Sequence, residues 1–256
     1  MKNITVLLLI AALILLNQCK TSDKSGPTPD TSSNREKGGS LSRFAVHNGY
    51  LYTVDSEYLT AYKLDKEGKP DDQSKKSKVG MEIETIFPFK DKLFIGSATQ
   101  LYIYSLDDPA NPKQEGAASS QAVTYRCDPI VAKDDVAYAT LRTGSNGCRG
   151  WRENSVLAVY DVKDVTKPTE KATIPIDEPY GLGYSDTVLY VCLRGGLTLF
   201  DISEPLNPKA IKTIKDGWFK DVIVYDSLLI CWTADDGLKL YNISNPSNPT
   251  LLETIF

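Results

Sequence analysis

Gly196-Leu-Thr-Leu-Phe200-Asp-Ile-Ser-Glu-Pro205-Leu-Asn-Pro208 returns as Gly237-Leu-Lys-Leu-Tyr241-Asn-Ile-Ser-Asn-Pro246-Ser-Asn-Pro249. Apolar and polar residues alternate up to the aromatic, which is the period of a strand buried on one side. The same strand recurs as Leu59–Asp65, Leu101–Asp107 and Leu157–Lys163. In every copy a proline stands seven residues beyond the polar residue that follows the aromatic: Pro70, Pro112, Pro168, Pro208 and Pro249. Three copies add a second proline three residues earlier, at Pro109, Pro205 and Pro246. Proline removes a backbone donor, so each segment interrupts the hydrogen-bond ladder at a fixed place.

The aromatics Tyr62, Tyr104, Tyr160, Phe200 and Tyr241 lie 42, 56, 40 and 41 residues apart. A period near 40 filled with short strands is that of propeller blades. Strand A of each copy is apolar and ends at a turn, read at Asn48-Gly49, Asp91-Lys92, Asp134-Asp135, Asp186-Thr187 and Asp226-Ser227. Strand B follows, as in Val188–Cys192 and Leu228–Trp232; strand C carries the aromatic; strand D is Ala210–Ile214 or Leu251–Ile255. No 3.6-residue period is sustained after residue 40. The expected fold is all-β: a five-bladed β-propeller of four-stranded antiparallel blades over residues 41–256. A β-sandwich does not account for one proline register kept five times. Leu251–Ile255 has two places open to it, finishing blade five or completing blade one; either would close the stack and protect its edges.

Residues 1–18 read as a signal peptide: Lys2, then an apolar run from Ile4 to Leu16, too short for a membrane span. Leu16-Asn-Gln-Cys19 resembles a bacterial lipobox, which makes Cys19 the lipidation site, although Asn17 and Gln18 are larger than usual there. Residues 19–40 contain no aliphatic or aromatic residue after Cys19, so the expectation is a disordered tether. A tether of that length reaches roughly 25 Å from a membrane. The expected location is the bacterial cell envelope, lipid-anchored, most readily at the outer membrane and either periplasmic or surface-exposed.

The repeated Gly-Leu-x-Leu-(Phe/Tyr)-(Asp/Asn)-Ile-Ser-x-Pro-x-Asn-Pro resembles the LVIVD repeat of bacterial surface and periplasmic proteins. Cys127-Asp-Pro129, the insertion holding Cys148 and Tyr180-Gly-Leu-Gly183 are similar to features of LVIVD lipoproteins of Bacteroidetes-type bacteria. The resemblance implies a propeller at the envelope. It implies no enzymatic activity.

Composition narrows the function classes. A chain of 256 residues, 41% hydrophobic and 24% charged, is globular. A net charge of −4 gives no footprint for nucleic acid. No cofactor loop is found, since no strand leads through glycines into a helix. The single histidine, His47, reads as an exposed turn residue; with no Cys-x-x-Cys either, no metal site is expected. Cys127 and Cys148 fall at the strand A entry and the B–C connection of blade three, which open on one face. A bridge there would close about 20 residues and contribute roughly 3 kcal/mol. Cys192 and Cys231, on adjacent blades, read as free buried thiols.

The same face gathers Arg142, Arg149, Trp151 and Arg152 with Tyr180, Arg194, Trp218, Lys220, Asp221 and Asp235. Trp, Tyr and Arg dominate interface energetics. The expected function is therefore non-catalytic binding of an envelope protein or polysaccharide by this face. The alternative is a glycoside hydrolase using two funnel carboxylates from Glu84, Asp128, Glu178 and Asp221.

Overall fold

A computed structural model describes residues 39–120, 129–143 and 155–255. They form five four-stranded antiparallel sheets, each laid out in sequence order from inner to outer strand. Blade one is β1 (Phe44–His47), β2 (Tyr50–Val54), β3 (Tyr58–Lys63) and β4 (Lys75–Lys78). Blade two is β5 (Ile83–Phe89), β6 (Lys92–Ser97), β7 (Leu101–Ser105) and β8 (Lys113–Ala118). Blade three is β9 (Ile130–Lys133), β10 (Val136–Leu141), β11 (Val156–Asp161) and β12 (Thr169–Pro175). Blade four is β13 (Pro179–Ser185), β14 (Val188–Leu193), β15 (Gly196–Asp201) and β16 (Lys209–Ile214). Blade five is β17 (Phe219–Tyr225), β18 (Leu228–Thr233), β19 (Gly237–Asn242) and β20 (Thr250–Ile255). The fold is the expected five-bladed propeller. β20 pairs with β19, so the last strand finishes blade five.

Local chemistry repeats with the blades. Asn48, Asp134, Asp186 and Asp226 open the A–B turns with positive φ, as hairpin turns of this hand require. In blade two that residue is Lys90, one position before the expected turn. The second turn residue then accepts the N–H that follows strand C in all five blades: Gly49 from Leu64, Asp91 from Leu106, Asp135 from Val162, Thr187 from Ile202 and Ser227 from Ile243. In blades two to five the polar residue after the aromatic caps the next turn, as where Asp201 Oδ1 accepts from Ser203 N–H (2.8 Å) and Asn242 Oδ1 from Ser244 N–H (2.8 Å). Each proline of the second register sits at position two of a turn closed by an i+3 N–H, such as Asn207 to Glu204.

Successive blades are joined by apolar clusters, one per seam from one–two to four–five. Three seams carry a polar stitch in addition. Tyr52, Tyr138 and Tyr190 stand third in their strand B, and each hydroxyl donates to a proline carbonyl of the next blade: Pro109 (2.9 Å), Pro205 (2.8 Å) and Pro246 (2.9 Å). Burial pushes all three phenols well above their usual range, so they stay protonated donors. Changing Tyr138 or Tyr190 to Phe should cost about 1 kcal/mol each in chemical denaturation, and the two should add, since they stitch different seams.

The fifth seam is different. Strand A positions Ile86, Ile130, Leu182 and Val222 are fully buried, whereas the matching Phe44 of blade one is 62% exposed. Strand C positions Leu59, Leu101, Leu157 and Leu197 are fully buried, whereas Leu238 of blade five is 39% exposed. Pro112, Pro168, Pro208 and Pro249 are buried and Pro70 is exposed. Among the described residues no apolar cluster joins blade five to blade one. The expectation that both ends of the stack are covered is corrected here.

Gly39–Ser42 lie on the axis. Ser40, placed in the tether by its composition, is buried: its hydroxyl accepts from Leu182 N–H (2.7 Å) and donates to Asp221 Oδ1 (3.1 Å). Leu41 N–H donates to Asp221 Oδ2 (3.3 Å), and Ile86 N–H of blade two donates to the Ser42 carbonyl. A Cβ on Gly39 or Gly181 would overlap the Asp221 carboxylate, so both glycines are needed for this close approach. His47 is also buried, its Nε2 lying 3.0 Å from Asn48 Nδ2, and is not the exposed turn residue that its neighbours suggested.

Candidate functional site

The site is built at the inner-strand entries of blades four and five, where the ladders are irregular. β17 pairs Phe219 with Thr233 and Asp221 with Trp232, so Lys220 is an extra, bulged residue. β13 shows a register shift between Pro179 and Leu182, which brackets Tyr180. A bulge re-aims the side chain it carries. Here it turns Tyr180 and Lys220 toward the B–C side, where the β10–β11 and β14–β15 connections present Arg142 and Arg194.

The five side chains interleave cations with rings. The Arg142 guanidinium lies 4.2 Å from the Tyr180 ring centre, and Lys220 Nζ lies 4.1 Å from the same ring. Lys220 Nζ is also 3.5 Å from the Trp218 ring, over which Arg194 sits at 5.0 Å. The two rings are 5.8 Å apart and tilted by 60°. Cations over aromatic faces are attracted by the ring quadrupole.

The surroundings hold this order in place. Thr140 donates to the Tyr180 carbonyl (2.5 Å), fixing the bulged backbone of blade four to blade three. Asp235 Oδ2 accepts from Trp218 N–H (3.3 Å). Glu178 takes Arg194 Nη1 at 3.1 Å on Oε1 and 3.3 Å on Oε2. Among the described residues the Trp218 indole N–H is buried with no hydrogen-bond partner.

Electrostatically the site is cationic on a chain of net charge −4. Burial, then the Arg142 and Arg194 charges, hold the Lys220 ammonium below the usual lysine range. Three like charges at close quarters repel, and an anion placed among them would relieve that repulsion. Such an arrangement can hold an anion between its cations.

Of the residues expected on this face, Arg142, Tyr180, Arg194, Trp218 and Lys220 come together, with Asp235 as a support. Asp221 is turned the other way: it holds residues 40 and 41 on the axis and also accepts from Val222 N–H (2.9 Å). Its placement on the recognition face is thereby corrected, because the bulge at Lys220 reverses the alternation. Burial pushes its carboxyl up to about 6. Of the other carboxylates, Glu178 is engaged by Arg194, Glu84 is the extra residue at the β5 bulge, and Asp128 lies outside the described residues. Arg149, Trp151, Arg152, Cys19 and the Cys127–Cys148 pair also lie outside them. Cys192 and Cys231 are free and buried, with thiols pushed up by burial. Among the described residues no three metal-ligating side chains converge.

The architecture is that of a five-bladed propeller built from repeated blades, and comparison with known proteins agrees at that level. The LVIVD repeat family model matches residues 230–255, which cover β18 to β20. No curated protein sequence matches the chain. Among solved structures, a protein from Lactobacillus plantarum superposes with a TM-score of 0.64 at 13% identity, over 80% of this chain and 67% of that one. BamB from Moraxella catarrhalis gives a TM-score of 0.53 at 11% identity, over 78% of this chain and 56% of BamB. The computationally designed Ika8 protein gives 0.57 at 9% identity, over 83% of this chain and 60% of the design. At such identities the likeness is one of fold. The chain spans between 56% and 67% of the length of these three structures.

Proposed function

We propose that this propeller is a non-catalytic binding module whose Arg142–Tyr180–Lys220–Trp218–Arg194 face captures a polyanionic ligand, carried by an envelope protein or an envelope polysaccharide. The observation that carries the reading is the convergence of three cations on two aromatic rings at bulged strand entries. Glu178 offsets one cation by pairing with Arg194, Asp235 lies beside Trp218 and Asp221 is turned to the axis, so three cations face two carboxylates and an excess of positive charge is kept. An acidic polymer would meet that charge, and the rim of Trp218 adds apolar contact. The test is titration of the full chain with poly-glutamate and with polygalacturonate. Saturable binding to either one, weakening as salt rises, is the expected result; no binding to either rejects the proposal.

What supports an envelope location is the sequence of residues 1–40, read as a signal peptide, a lipidated Cys19 and a polar tether. Two or three acyl chains anchor stably where one does not. Cys19→Ser should therefore move the protein from the membrane fraction to the soluble fraction of an expressing bacterium. Retention in the membrane would remove the lipid anchor from the account.

A further inference from the structure

The uncovered seam carries an inference independent of the ligand-binding face. Inside the chain, the side of each blade facing the next is covered by the following blade. Blade four shows the pattern on Tyr190, Cys192, Leu197 and Leu199, all fully buried. The matching residues of blade five are Ile230, Trp232, Leu238 and Leu240, with Trp232 52% exposed. At the other end, blade one leaves Phe44 and Val46 exposed where a preceding blade would sit. Blade one thus offers a leading side and blade five a trailing side, in the head-to-tail sense already used at four seams.

Charge agrees with that pairing. Across the four–five seam, Lys212 of the outer strand donates to Asn248 Oδ1 at 2.6 Å, just before Pro249. The residue of blade five matching Lys212 is Glu253, since Glu253 pairs with Leu240 as Lys212 pairs with Leu199. The residue of blade one matching Asn248 is Lys69, just before Pro70. The fifth seam therefore sets a carboxylate against an ammonium where the fourth sets an ammonium against an amide. It lacks the tyrosine stitch, because Ile230 stands where Tyr52, Tyr138 and Tyr190 donate.

We infer that a second copy of this chain covers the seam: blade five of one copy packs on blade one of the next, with Trp232 and Phe44 as anchors and Glu253 facing Lys69. A head-to-tail contact closes a ring or propagates, according to the rotation it imposes. With no covalent link between the copies the association is reversible, unlike the seams within the chain.

Native mass spectrometry of the full chain in detergent tests this over a concentration series. Dimers or larger assemblies are expected in the wild type. Glu253→Lys alone, and Lys69→Glu alone, should each weaken assembly about tenfold by setting like charges together, and the double exchange should restore it. All these positions are exposed, so the variants fold. As a second measurement, Glu253→Cys with Lys69→Cys should give an oxidised dimer on a denaturing gel. A wild type that stays monomeric overturns the inference. So does an assembly indifferent to both single changes, or a cross-link formed only within one chain.

Discussion

Lys220→Glu should lower polyanion affinity about a hundredfold at low salt while leaving thermal stability nearly unchanged. Among the described residues Lys220 is the one cation that touches both rings, with Arg142 and Arg194 to either side. Reversing its charge removes an attraction and puts a carboxylate at the centre of the ligand's path. The fold should tolerate the change, because Lys220 is a bulged residue outside the paired register. The ammonium is also held below its usual range by burial and by the two guanidinium groups, so losing it relieves repulsion. Arg194→Ala should matter less: its side chain is largely exposed and paired with Glu178, and exposed pairs contribute little. Because Lys220 deprotonates earlier than an ordinary lysine, wild-type affinity should fall as pH rises through that lowered range. Isothermal titration of both proteins against poly-glutamate reads the effect. Equal affinities would take Lys220 out of the site.

The second large effect is on stability and concerns Asp221. Burial raises its carboxyl from 3.8 to about 6 in the folded chain. A raised carboxyl binds its proton more tightly when folded. Its contribution is therefore full below the unfolded value and is lost as pH rises through the folded one. A rise of that size corresponds to about 3 kcal/mol in full, of which about 2 kcal/mol falls between pH 4 and pH 7, since pH 4 already lies above the unfolded value. Asp221→Asn keeps the shape and removes the titration. Any fixed cost of the amide opposite Leu41 N–H is the same at both pH values and cancels. The stability of the Asp221→Asn variant relative to wild type should thus improve by about 2 kcal/mol from pH 4 to pH 7 in urea titrations. An unchanged difference would mean that water reaches the axis and that Ser40 and Leu41 do not seal it.

The fold was legible because its signals are local and repeated. The alternating strand, the polar residue that caps the next turn, and the proline in fixed register each act within a few residues, and each recurs in at least four of the five blades. The recognition face was legible for the same reason: strand entries and B–C turns share one side of a propeller, so Tyr180, Arg194, Trp218 and Lys220 could be grouped by position alone. What escaped was non-local. Nothing near Ser40 tells that its hydroxyl meets a carboxylate 181 residues away. Strict alternation puts Asp221 on the face because it hides a bulge. Phe44 and Leu238 are apolar strand residues like their counterparts, and an apolar pattern does not say whether a face is covered. His47, beside an Asn-Gly turn, has the local signature of an exposed residue and is buried all the same.

Oxidative footprinting of the tryptophans, with and without saturating poly-glutamate, bears most directly on the binding face. Trp218 lies inside the cation cluster and Trp232 lies on the open side of blade five. The predicted result is protection of Trp218 by the polymer with the oxidation of Trp232 unchanged. Protection of Trp232 instead, or of neither while the polymer is bound, would contradict the placement of the ligand on the Arg142–Arg194 face.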